Sequence, residues 1–543
     1  MASNKPGRNA VLATWSRKVT EKRGAFRNTR YTDFSKPENA KKMKAALAQV
    51  RKELGREYPL VLGGQEVMTE DRLNSYDPAR PEVLVGSFAK AAQAEAELAI
   101  QVATETYETW KWTDAWTRAT YAWKAADLMK KRRLELAAWM VYEVSKSWAE
   151  ADADVAEAID FLDFYGREAV RYGGPQPLTP LAGEDLELRY VPIGPVLVVP
   201  PWNFPLAILV GMATAAWVAG NTVVLKPSSD SPAIGWQYFK ILQEIGLPAG
   251  VVNFMPGAGA KAGDYLVAHP KTRMIAFTGS MDVGLRIQEV AGKRHPECIW
   301  IKRTLLEMGG KDAIIVDSEA DLEAAAEGVM RSAFGYQGQK CSACSRAIVV
   351  ADVYEDFIAR LLPLVAKIRV GHPEDPKSFM GAVINEGAMR DQLNYIEIGQ
   401  QEGVLIAGGA RDKAAGSGWF IQPTIFKDIP PKGRLAQEEI FGPVLAIIKA
   451  RDWQDALEIA NNTIYGLTGA IYTKNPAKIK EGKDRFHCGN LYVNRKCTGA
   501  MVGAHPFGGF NMSGTDSKAG GRDYLFLFTQ PKSIAENLKA KKK

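Results

Sequence analysis

Cysteine and histidine are both scarce in this chain, which has five of each among 543 residues. A small and odd number of cysteines does not suggest a disulfide framework and fits a reducing compartment. No histidine and no second Cys-x-x-Cys pair stands at a spacing that would complete a zinc site, so we expect no bound metal. The five cysteines are Cys298, Cys341, Cys344, Cys488 and Cys497.

Long apolar runs are missing as well. No uninterrupted run approaches the ~20 residues that are needed to cross a bilayer. The first residues also lack the apolar core of a secretory signal. We therefore expect a cytoplasmic protein with no membrane span.

Positive charge is concentrated at one end of the chain. The formal net charge is +7, and residues 1–30 hold eight basic residues against one acid, so the remaining chain balances to zero. A basic stripe across the fold is not predicted, and we expect no nucleic-acid partner. We interpret residues 1–30 as a solvated, partly disordered basic N-terminal arm. An organelle-targeting peptide or a contact with a polyanion fits the same composition.

The body of the chain shows two kinds of hydrophobic periodicity. Residues 36–55 and 88–170 have helical spacing. From residue 191 onward, short apolar runs such as IGPVLVV, TVVLKPS and MIAFTGS alternate with amphipathic helices. This alternation predicts an α/β fold, with parallel sheets covered by helices on both faces. Dinucleotides bind at the carboxyl ends of such strands.

A second α/β region is predicted to begin near TLLEMGGKDAIIV (304–316) and to run to about residue 495. The glycine-rich segment PFGGFNMSGTDSKAGG (506–521) follows and should be loop. The apolar stretch DYLFLFTQ (523–530) is a candidate for the final strand.

Two glycine-containing turns could approach a phosphate. GAGAKAG (257–263) follows a strand and opens a helix, but its third glycine comes one position late for the dinucleotide fingerprint. In FTGS (277–280), Ser280 at a helix N-terminus can hydrogen-bond a phosphate oxygen or simply cap the helix. Both interpretations stay open on these residues alone.

The pair of cysteines in GYQGQKCSACSR (335–346) needs a separate explanation. A redox pair would be expected to open a thioredoxin-like helix, which this stretch does not resemble. The remaining alternatives are a nucleophile and a buried packing residue. Lys340 beside Cys341 would favour the reactive thiolate if it points toward the sulfur, but it could equally point away.

Seven motifs stand in one order along the chain: PWNFP (201–205), VLKPS (224–228), FTGS (277–280), LEMGGK (306–311), GQKCSACSR (338–346), EEIFGP (438–443) and PFGGFNMSG (506–514). In this order the chain resembles the aldehyde dehydrogenase superfamily from about residue 35 on. The resemblance implies an NAD(P)-dependent oxidoreductase that converts an aldehyde to an acid.

Catalytic roles follow from the resemblance for three residues. Cys341 matches the nucleophile that attacks the aldehyde carbon. The Asn203 side-chain amide and the Cys341 backbone N–H match the donors to the oxyanion. Glu307 matches the carboxylate that activates water to hydrolyse the thioester. Cys344 stands where glycine is common in the superfamily, and we interpret it as a passive small residue.

The resemblance also implies how the cofactor is held. Lys226 matches the residue that binds the adenosine ribose, and Gly279 and Ser280 match the pyrophosphate site. Glu439 and Phe441 match the contacts to the nicotinamide ribose and ring. Many NAD-preferring members carry a glutamate where this chain has Ser229, so we expect NAD to work and NADP to be tolerated.

The substrate is indicated by a closer resemblance. Residues 494–521, with GYQGQKCSA and KSWAEADADVAEAIDF (146–161), resemble the 1-pyrroline-5-carboxylate dehydrogenase family. That resemblance implies oxidation of L-glutamate γ-semialdehyde to L-glutamate in proline breakdown. It also implies a binding site for this small-molecule substrate.

In that site, the backbone N–H groups of Gly499 and Ala500 and the Ser342 hydroxyl would bind the substrate carboxylate. Phe507 and Trp202 match aromatic walls. Glu150 is a candidate partner for the ammonium group, or a solvated glutamate in an acidic helix.

The family architecture implies an NAD(P)-binding domain (31–169 and 191–305), a catalytic domain (306–497) and a substrate-anchoring loop (498–514). It also implies a small oligomerisation flap (170–190 and 515–543) and hence a homo-oligomer. Two alternatives stay open. One is another semialdehyde dehydrogenase of the same fold, and the other is a catalytically inactive protein that binds a polyanion through its basic ends.

Overall fold

The structure, a computed structural model, describes residues 19 to 538 apart from residues 20, 22 and 258. Most of the predicted basic arm therefore lies outside the described residues. Residues 23–30 of the arm contact the body of the molecule. The Asn28 amide donates to Asp160 Oδ2 and to the Val502 carbonyl, each at 2.9 Å, and the Thr29 N–H donates to Asp160 Oδ1 at 2.9 Å.

The first part of the chain forms helices and strands in mixed order. They are α1 (Pro37–Arg51), β1 (Arg56–Tyr58), β2 (Leu60–Leu62), β3 (Gln65–Val67), β4 (Arg72–Asp77), β5 (Arg80–Ala89), α2 (Gln93–Trp110), α3 (Ala115–Lys131), α4 (Arg133–Val144), α5 (Trp148–Gly173), β6 (Glu184–Pro192), β7 (Pro195–Val199), α6 (Ala207–Val218), β8 (Thr222–Leu225), α7 (Pro232–Glu244), β9 (Val252–Phe254), α8 (Asp264–Ala268), β10 (Met274–Thr278), α9 (Met281–Gly292) and β11 (Arg303–Glu307).

The second part alternates more regularly. Its elements are β12 (Asp312–Val316), α10 (Leu322–Phe334), β13 (Cys344–Val350), α11 (Tyr354–Val365), α12 (Glu386–Glu402), β14 (Val404–Ala407), β15 (Thr424–Lys427), α13 (Arg434–Gln437), β16 (Val444–Ala450), α14 (Trp453–Asn461), β17 (Tyr465–Gly466), β18 (Thr468–Tyr472), α15 (Pro476–Arg485), β19 (Asn490–Val493), β20 (Phe510–Asn511) and β21 (Thr529–Asn537).

The first large sheet has the strand order β11-β10-β7-β8-β9-β2-β3. The strands from β11 to β9 run parallel, and β2 and β3 are added antiparallel at one edge. Both faces are buried. Val196 and Val198 pack with helices α3 to α7, whereas Leu197 packs on the opposite face with α2, α8 and α9. Burial of both faces explains why these strands read as short continuous apolar runs.

The second large sheet has the order β14-β15-β16-β13-β12-β18-β19. Its strands are parallel except β14. One face packs on α12 and α14 and the other on α10 and α11. Helix α10, which leads to the cysteine pair, is capped at its start by Asp321, whose side chain accepts the Ala324 N–H at 3.1 Å.

The chain passes from the first sheet to the second between Glu307 and Asp312. The predicted second region from residue 304, and a domain boundary at 306, therefore need correction, because β11 still belongs to the first sheet. Glycine permits the crossing. A Cβ on Gly310 would lie 2.5 Å from the Cys341 carbonyl oxygen, and one on Gly309 would collide with the Glu439 carboxylate.

Strands β6 and β21 form a separate antiparallel ribbon, paired from Pro192 with Thr529 to Glu184 with Asn537. The candidate strand at 523–530 is wrong in its extent. Tyr524–Phe528 form a short 3₁₀ turn because Tyr524 stacks on Tyr165 of α5 with ring centroids 5.5 Å apart. The strand begins only at Thr529. Residues 170–173, predicted as part of the flap, are the last turn of α5.

Candidate active site

The carboxyl end of the first sheet and the loop before β13 enclose one large cavity. Its volume is about 620 Å³, within the range of ~300–1,000 Å³ that is usual for small-molecule sites. Most of the predicted catalytic and substrate residues line it, namely Cys341, Glu307, Ser342, Gly499, Ala500, Phe507 and Glu150. Residues from positions 150 to 507 of the sequence thus meet at one site.

Cys341 is placed by a strained turn that follows α10. Tyr336 and Gln337 have φ values of 51° and 56°, in the left-handed region that disfavours residues with a side chain. Their side chains hold the turn in place. The Tyr336 hydroxyl donates to the Val144 carbonyl at 3.0 Å, and the Gln337 amide donates to the carbonyls of Ser145 and Ala382 at 3.1 and 2.8 Å. The turn is therefore anchored to the end of α4.

The surroundings of the Cys341 thiol favour its protonated form. Burial raises its pKa well above the ordinary value, and the carboxylates of Asp312, Glu439 and Glu307 act in the same direction. Lys340 does not relieve this, because its ammonium donates to both carboxylate oxygens of Glu150 at 2.7 Å. Of the two orientations left open for Lys340, the structure shows the one that points away from the sulfur.

Asn203, the predicted oxyanion donor, is not among the described residues that line the cavity, but it lies beside the nucleophile loop. Its side chain is buried, and Nδ2 donates to the Gln339 carbonyl at 3.1 Å, two residues before Cys341. That contact uses one of the two amide protons and leaves the other for a substrate oxygen.

A buried ion pair that sequence analysis missed connects the Asn203 loop to the nucleophile turn. Lys146 Nζ donates to Asp154 Oδ2 at 2.6 Å, and both side chains are fully buried. The same ammonium lies 4.0 Å from the ring centroid of Phe204 and 4.6 Å from that of Tyr336. Asp154 Oδ1 in turn accepts the Ala207 N–H at 2.6 Å.

Glu307 ends β11 with its carboxyl group buried. Burial raises its pKa to about 8. The Ser517 hydroxyl, which donates to Oε1, and the nearby Lys518 ammonium act in the opposite direction and lower the pKa. Oε2 has no hydrogen-bond partner among the residues that the structure describes. The Gly279 N–H donates to the Glu307 carbonyl at 3.0 Å, which fixes its backbone against the end of β10.

The predicted carboxylate site forms part of the same wall. Gly499 has a φ of 81°, a conformation that only glycine adopts without strain. Arg495 donates to its carbonyl at 3.2 Å. Ser342 is buried beside Cys341.

One predicted wall residue lies elsewhere. Trp202 is not among the described residues that line the cavity; its ring packs edge-to-face on Phe441, with centroids 5.5 Å apart. Phe204 lines the cavity instead, because the Lys146 ammonium holds its ring there. The prediction for Trp202 is therefore corrected to Phe204, two residues later in the same loop.

Glu150 lies on α5, at the cavity, and is not a free surface carboxylate. Burial opposes its ionisation, but Lys340, followed by Lys146 and Lys496, outweighs burial, so its pKa is lowered. The carboxylate is thus charged and held by Lys340. It can accept a further hydrogen bond from an ammonium group in the cavity.

The residues that resemble a dinucleotide site lie at the ends of β8 and β10. Lys226 is buried, and burial lowers its pKa to about 8. Burial is the one influence on its pKa among the described residues, with no charged or hydrogen-bonding side chain acting on it, which suits a group that donates to ribose hydroxyls. Ser280 is exposed at the N-terminus of α9 and makes no side-chain cap, so its hydroxyl and the helix end are open to an anion. Gly279 precedes it, where a Cβ would strike the Phe277 ring.

Glu439 and Phe441 lie on the loop after α13. Glu439 Oε1 accepts the Gly310 N–H at 3.0 Å, and burial raises the pKa of Glu439 to about 7. Phe441 has a φ of 55° and faces Trp202. Ser229 is half-buried near the end of β8. These residues offer hydrogen-bond donors and open positions that are suitable for binding NAD(P).

Among the residues that the structure describes, no group of three or more His, Cys, Asp or Glu side chains is placed to hold a metal ion. None of the helices among these residues is both long and apolar enough to span a membrane.

Residues 66–534 match the sequence model of the Aldehyde dehydrogenase family. The chain belongs to the aldehyde dehydrogenase family. Among its curated relatives, 1-pyrroline-5-carboxylate dehydrogenase of Geobacillus kaustophilus is 53% identical over 511 residues, which cover 94% of this chain and 99% of that protein.

Solved structures of the aldehyde dehydrogenase family agree. A crystal structure of 1-pyrroline-5-carboxylate dehydrogenase from Thermus with bound NAD has a TM-score of 0.93 at 49% identity, covering 94% of this chain and 99% of that one. Betaine aldehyde dehydrogenase from Staphylococcus aureus in complex with NAD+ has a TM-score of 0.85 at 27% identity, covering 91% and 98%. The predicted family and α/β fold class are confirmed.

Proposed function

We propose that this aldehyde dehydrogenase oxidises L-glutamate γ-semialdehyde, the open form of 1-pyrroline-5-carboxylate, to L-glutamate with NAD(P)⁺. The observation that carries the proposal is the shared cavity. It joins Cys341 and Glu307 to a small-residue loop at Gly499 and Ala500 and to the charged pair of Glu150 and Lys340. Relatives about half identical over nearly the whole chain are named for this substrate.

The first chemical step is addition of the Cys341 sulfur to the aldehyde carbon. The S–C bond forms as the carbonyl π bond opens, and the thiol proton passes to solvent, which leaves the carbonyl oxygen as an alkoxide. The free amide proton of Asn203 and the Cys341 N–H stabilise the charge that develops on that oxygen. The strained turn at Tyr336 and Gln337 fixes the sulfur in position, so little reorganisation is needed.

Bound NAD(P)⁺ supplies the hydride acceptor that oxidises the adduct to a thioester. The residues suited to hold it are Lys226 and Ser280 for the ribose and phosphates, and Glu439 with Phe441 at the nicotinamide end. Ser229 in place of a glutamate leaves room for a 2′-phosphate, which supports use of both NAD and NADP.

Hydrolysis of the thioester is assigned to Glu307. In its carboxylate form it takes a proton from water, the water oxygen attacks the thioester carbon, and the Cys341 sulfur leaves. Because burial raises the pKa of Glu307 to about 8, only part of the enzyme holds this base in its active form at neutral pH.

Both ends of an amino acid can be recognised in the cavity. The N–H groups of Gly499 and Ala500 with the Ser342 hydroxyl suit a carboxylate. The Glu150 carboxylate, held by Lys340, suits the ammonium group. An uncharged aldehyde would use neither contact.

We also propose that the β6–β21 ribbon mediates a homo-oligomer. A two-stranded ribbon is marginally stable alone, and most of β21 is exposed. The five free cysteines support a reducing compartment such as the cytoplasm.

The proposed function is tested by NAD(P)H formation with L-glutamate γ-semialdehyde and with a panel of uncharged aldehydes. We expect the semialdehyde to have the highest kcat/KM and Cys341→Ala to abolish turnover. Turnover confined to uncharged aldehydes would keep Cys341 and overturn the substrate. No turnover on any aldehyde, with a salt-sensitive mobility shift on nucleic acid, would favour the inactive polyanion-binding protein.

A further inference from the structure

The Glu307 carboxyl group lies in a slot formed by the glycine-rich segment after residue 506. A Cβ on Gly508 would lie 2.9 Å from Glu307 Oε1, and one on Gly514 would lie 3.5 Å from Oε2. The Ser517 hydroxyl donates to Oε1 and is itself only 4% exposed. Ser517 is the side chain, among the described residues, that hydrogen-bonds this carboxyl group.

Backbone hydrogen bonds join the slot to the end of β11 on both sides of Glu307. The Met308 N–H donates to the Ser513 carbonyl at 2.8 Å, and the Thr515 N–H donates to the Leu306 carbonyl at 3.0 Å. Further along, Phe507 and Ala519 exchange two backbone hydrogen bonds of 2.8 and 2.7 Å. Ser517 lies between these fixed points, so its hydroxyl has a defined position relative to Glu307.

We propose that Ser517 is a positioning residue for thioester hydrolysis, whose hydroxyl holds the Glu307 carboxyl group at the cavity wall. The proposal rests on the proposed function, because it assigns a further residue to the Cys341 and Glu307 chemistry. A hydroxyl suits the task. It donates to the carboxylate before the proton is taken from water and accepts from the neutral acid afterwards.

The charges around Glu307 support this assignment. Burial opposes the carboxylate, and the Ser517 hydrogen bond is the largest effect in its favour, followed by Lys518 and the Gly509 N–H, while Asp516 opposes it. Lys518 Nζ is committed to the Gly489 carbonyl at 2.7 Å and to that of Gly508. Cys341 and Tyr524 also interact with Glu307.

The test separates hydride transfer from hydrolysis in Ser517→Ala. Stopped-flow measurement of NAD(P)H formation gives the rate of hydride transfer in the first turnover. The steady-state rate gives the rate of hydrolysis when hydrolysis is the rate-limiting step. We expect the first turnover to be unchanged and the acidic limb of the steady-state pH profile to move up by about one pH unit. Below that limb the rate falls about tenfold. Ser517→Thr keeps the hydroxyl and should restore the limb.

Ser513→Ala is the matched control. Ser513 is buried in the same segment, but its hydroxyl accepts the Gly466 N–H at 3.0 Å and does not contact Glu307. Its pH profile should stay at the wild-type position. The proposal would be overturned if the acidic limb of the Ser517→Ala pH profile stayed at the wild-type pH. It would also be overturned by equal losses in the first-turnover and steady-state rates, or by the same shift of the limb in Ser513→Ala.

The assay can be repeated with an uncharged aldehyde such as propanal. If the protein oxidises another aldehyde but not L-glutamate γ-semialdehyde, the proposed substrate is overturned. The role of Ser517 would still be tested with that other aldehyde. Ser517→Thr provides the readout if Ser517→Ala does not fold, since a threonine limb far above the wild-type value would count against the proposal.

Discussion

Burial is the strongest influence on the reacting groups of the cavity. It raises the pKa of the Cys341 thiol well above the ordinary value and that of Glu307 to about 8. An acid with a raised pKa stays neutral until the pH passes that value. Glu307 can therefore accept a proton from water only in the fraction that has ionised.

This gives a pH dependence with a defined sign. We expect the steady-state rate at saturating substrate to rise with pH through about 8 and then to level off, because hydrolysis needs the Glu307 carboxylate. Initial rates of NAD(P)H formation from about pH 6 to about pH 10 check this. A rate that is already constant at the acidic end of that range would contradict it.

The Glu150 and Lys340 pair makes a prediction about selectivity. Glu150→Gln removes the charge proposed to meet the substrate ammonium and leaves Lys340 without its partner. We expect kcat/KM for L-glutamate γ-semialdehyde to fall about 10- to 100-fold, the range for hydrogen bonds to charged groups. Propanal, which has no ammonium group, serves as the control. Equal losses for both aldehydes would show that Glu150 supports the fold and not recognition.

At the residue scale, the roles of Cys341, Glu307 and Asn203 are predictions from the resemblance of their motifs to the aldehyde dehydrogenase family. The motifs could not predict Ser517, which is 210 positions from Glu307. Nor could they predict that Phe204, and not Trp202, lines the cavity, since that depends on the Lys146 ammonium. Such contacts follow from tertiary packing, which leaves no local signal.

At the scale of elements, the crossing between the two sheets decides where the reacting groups meet. Glu307 closes β11 in the first sheet, and Cys341 precedes β13 in the second. Between them, Gly310 packs so closely on the Cys341 carbonyl that a Cβ would lie 2.5 Å away. The nucleophile loop and the crossing therefore share one contact.

Gly310→Ala tests that contact. We expect a loss of about 1–3 kcal/mol in the free energy of unfolding, typical of an overpacked site, together with a lower kcat as Cys341 shifts. Gly292→Ala is the matched control, because a Cβ there meets no atom within 4 Å. It should change stability by less than about 0.5 kcal/mol. Urea denaturation of the two variants, with kcat, checks this; equal effects would argue against the close packing.

The alternation of short apolar runs with helices could predict the parallel sheets, because strands buried on both faces leave that pattern. The aromatic run at 524–528 could not be assigned in the same way. As an isolated apolar stretch it fits a strand, and only its packing on α5 selects the 3₁₀ turn. The sequence also could not predict where the chain crosses from the first sheet to the second. Both TLLE and DAIIV have the apolar pattern of a strand, and the pattern does not show that they belong to different sheets.

At the scale of the whole molecule, the two sheets place the cavity between them, and the β6–β21 ribbon lies apart from both. The family and the fold class could be predicted from the order of the motifs. The assembly could not, because one chain shows a ribbon with exposed strands but not what covers it.

Removal of residues 529–543 deletes β21 and leaves β6 unpaired. We expect this truncated protein to form a smaller assembly than the full chain, because the ribbon is the proposed contact between copies. Light scattering coupled to size-exclusion chromatography measures both masses. The same mass for both proteins would show that the ribbon does not hold the assembly together.

The central claim is that Cys341 carries a thioester that Glu307 resolves. The most direct measurement is an acid quench of Glu307→Gln during reaction with L-glutamate γ-semialdehyde and NAD⁺, followed by peptide mass mapping. We predict one equivalent of NADH per site, a glutamyl thioester on the peptide that contains Cys341, and a steady-state rate at least about 100-fold below wild type. Undiminished turnover, or NADH formed with no adduct on Cys341, would contradict the account.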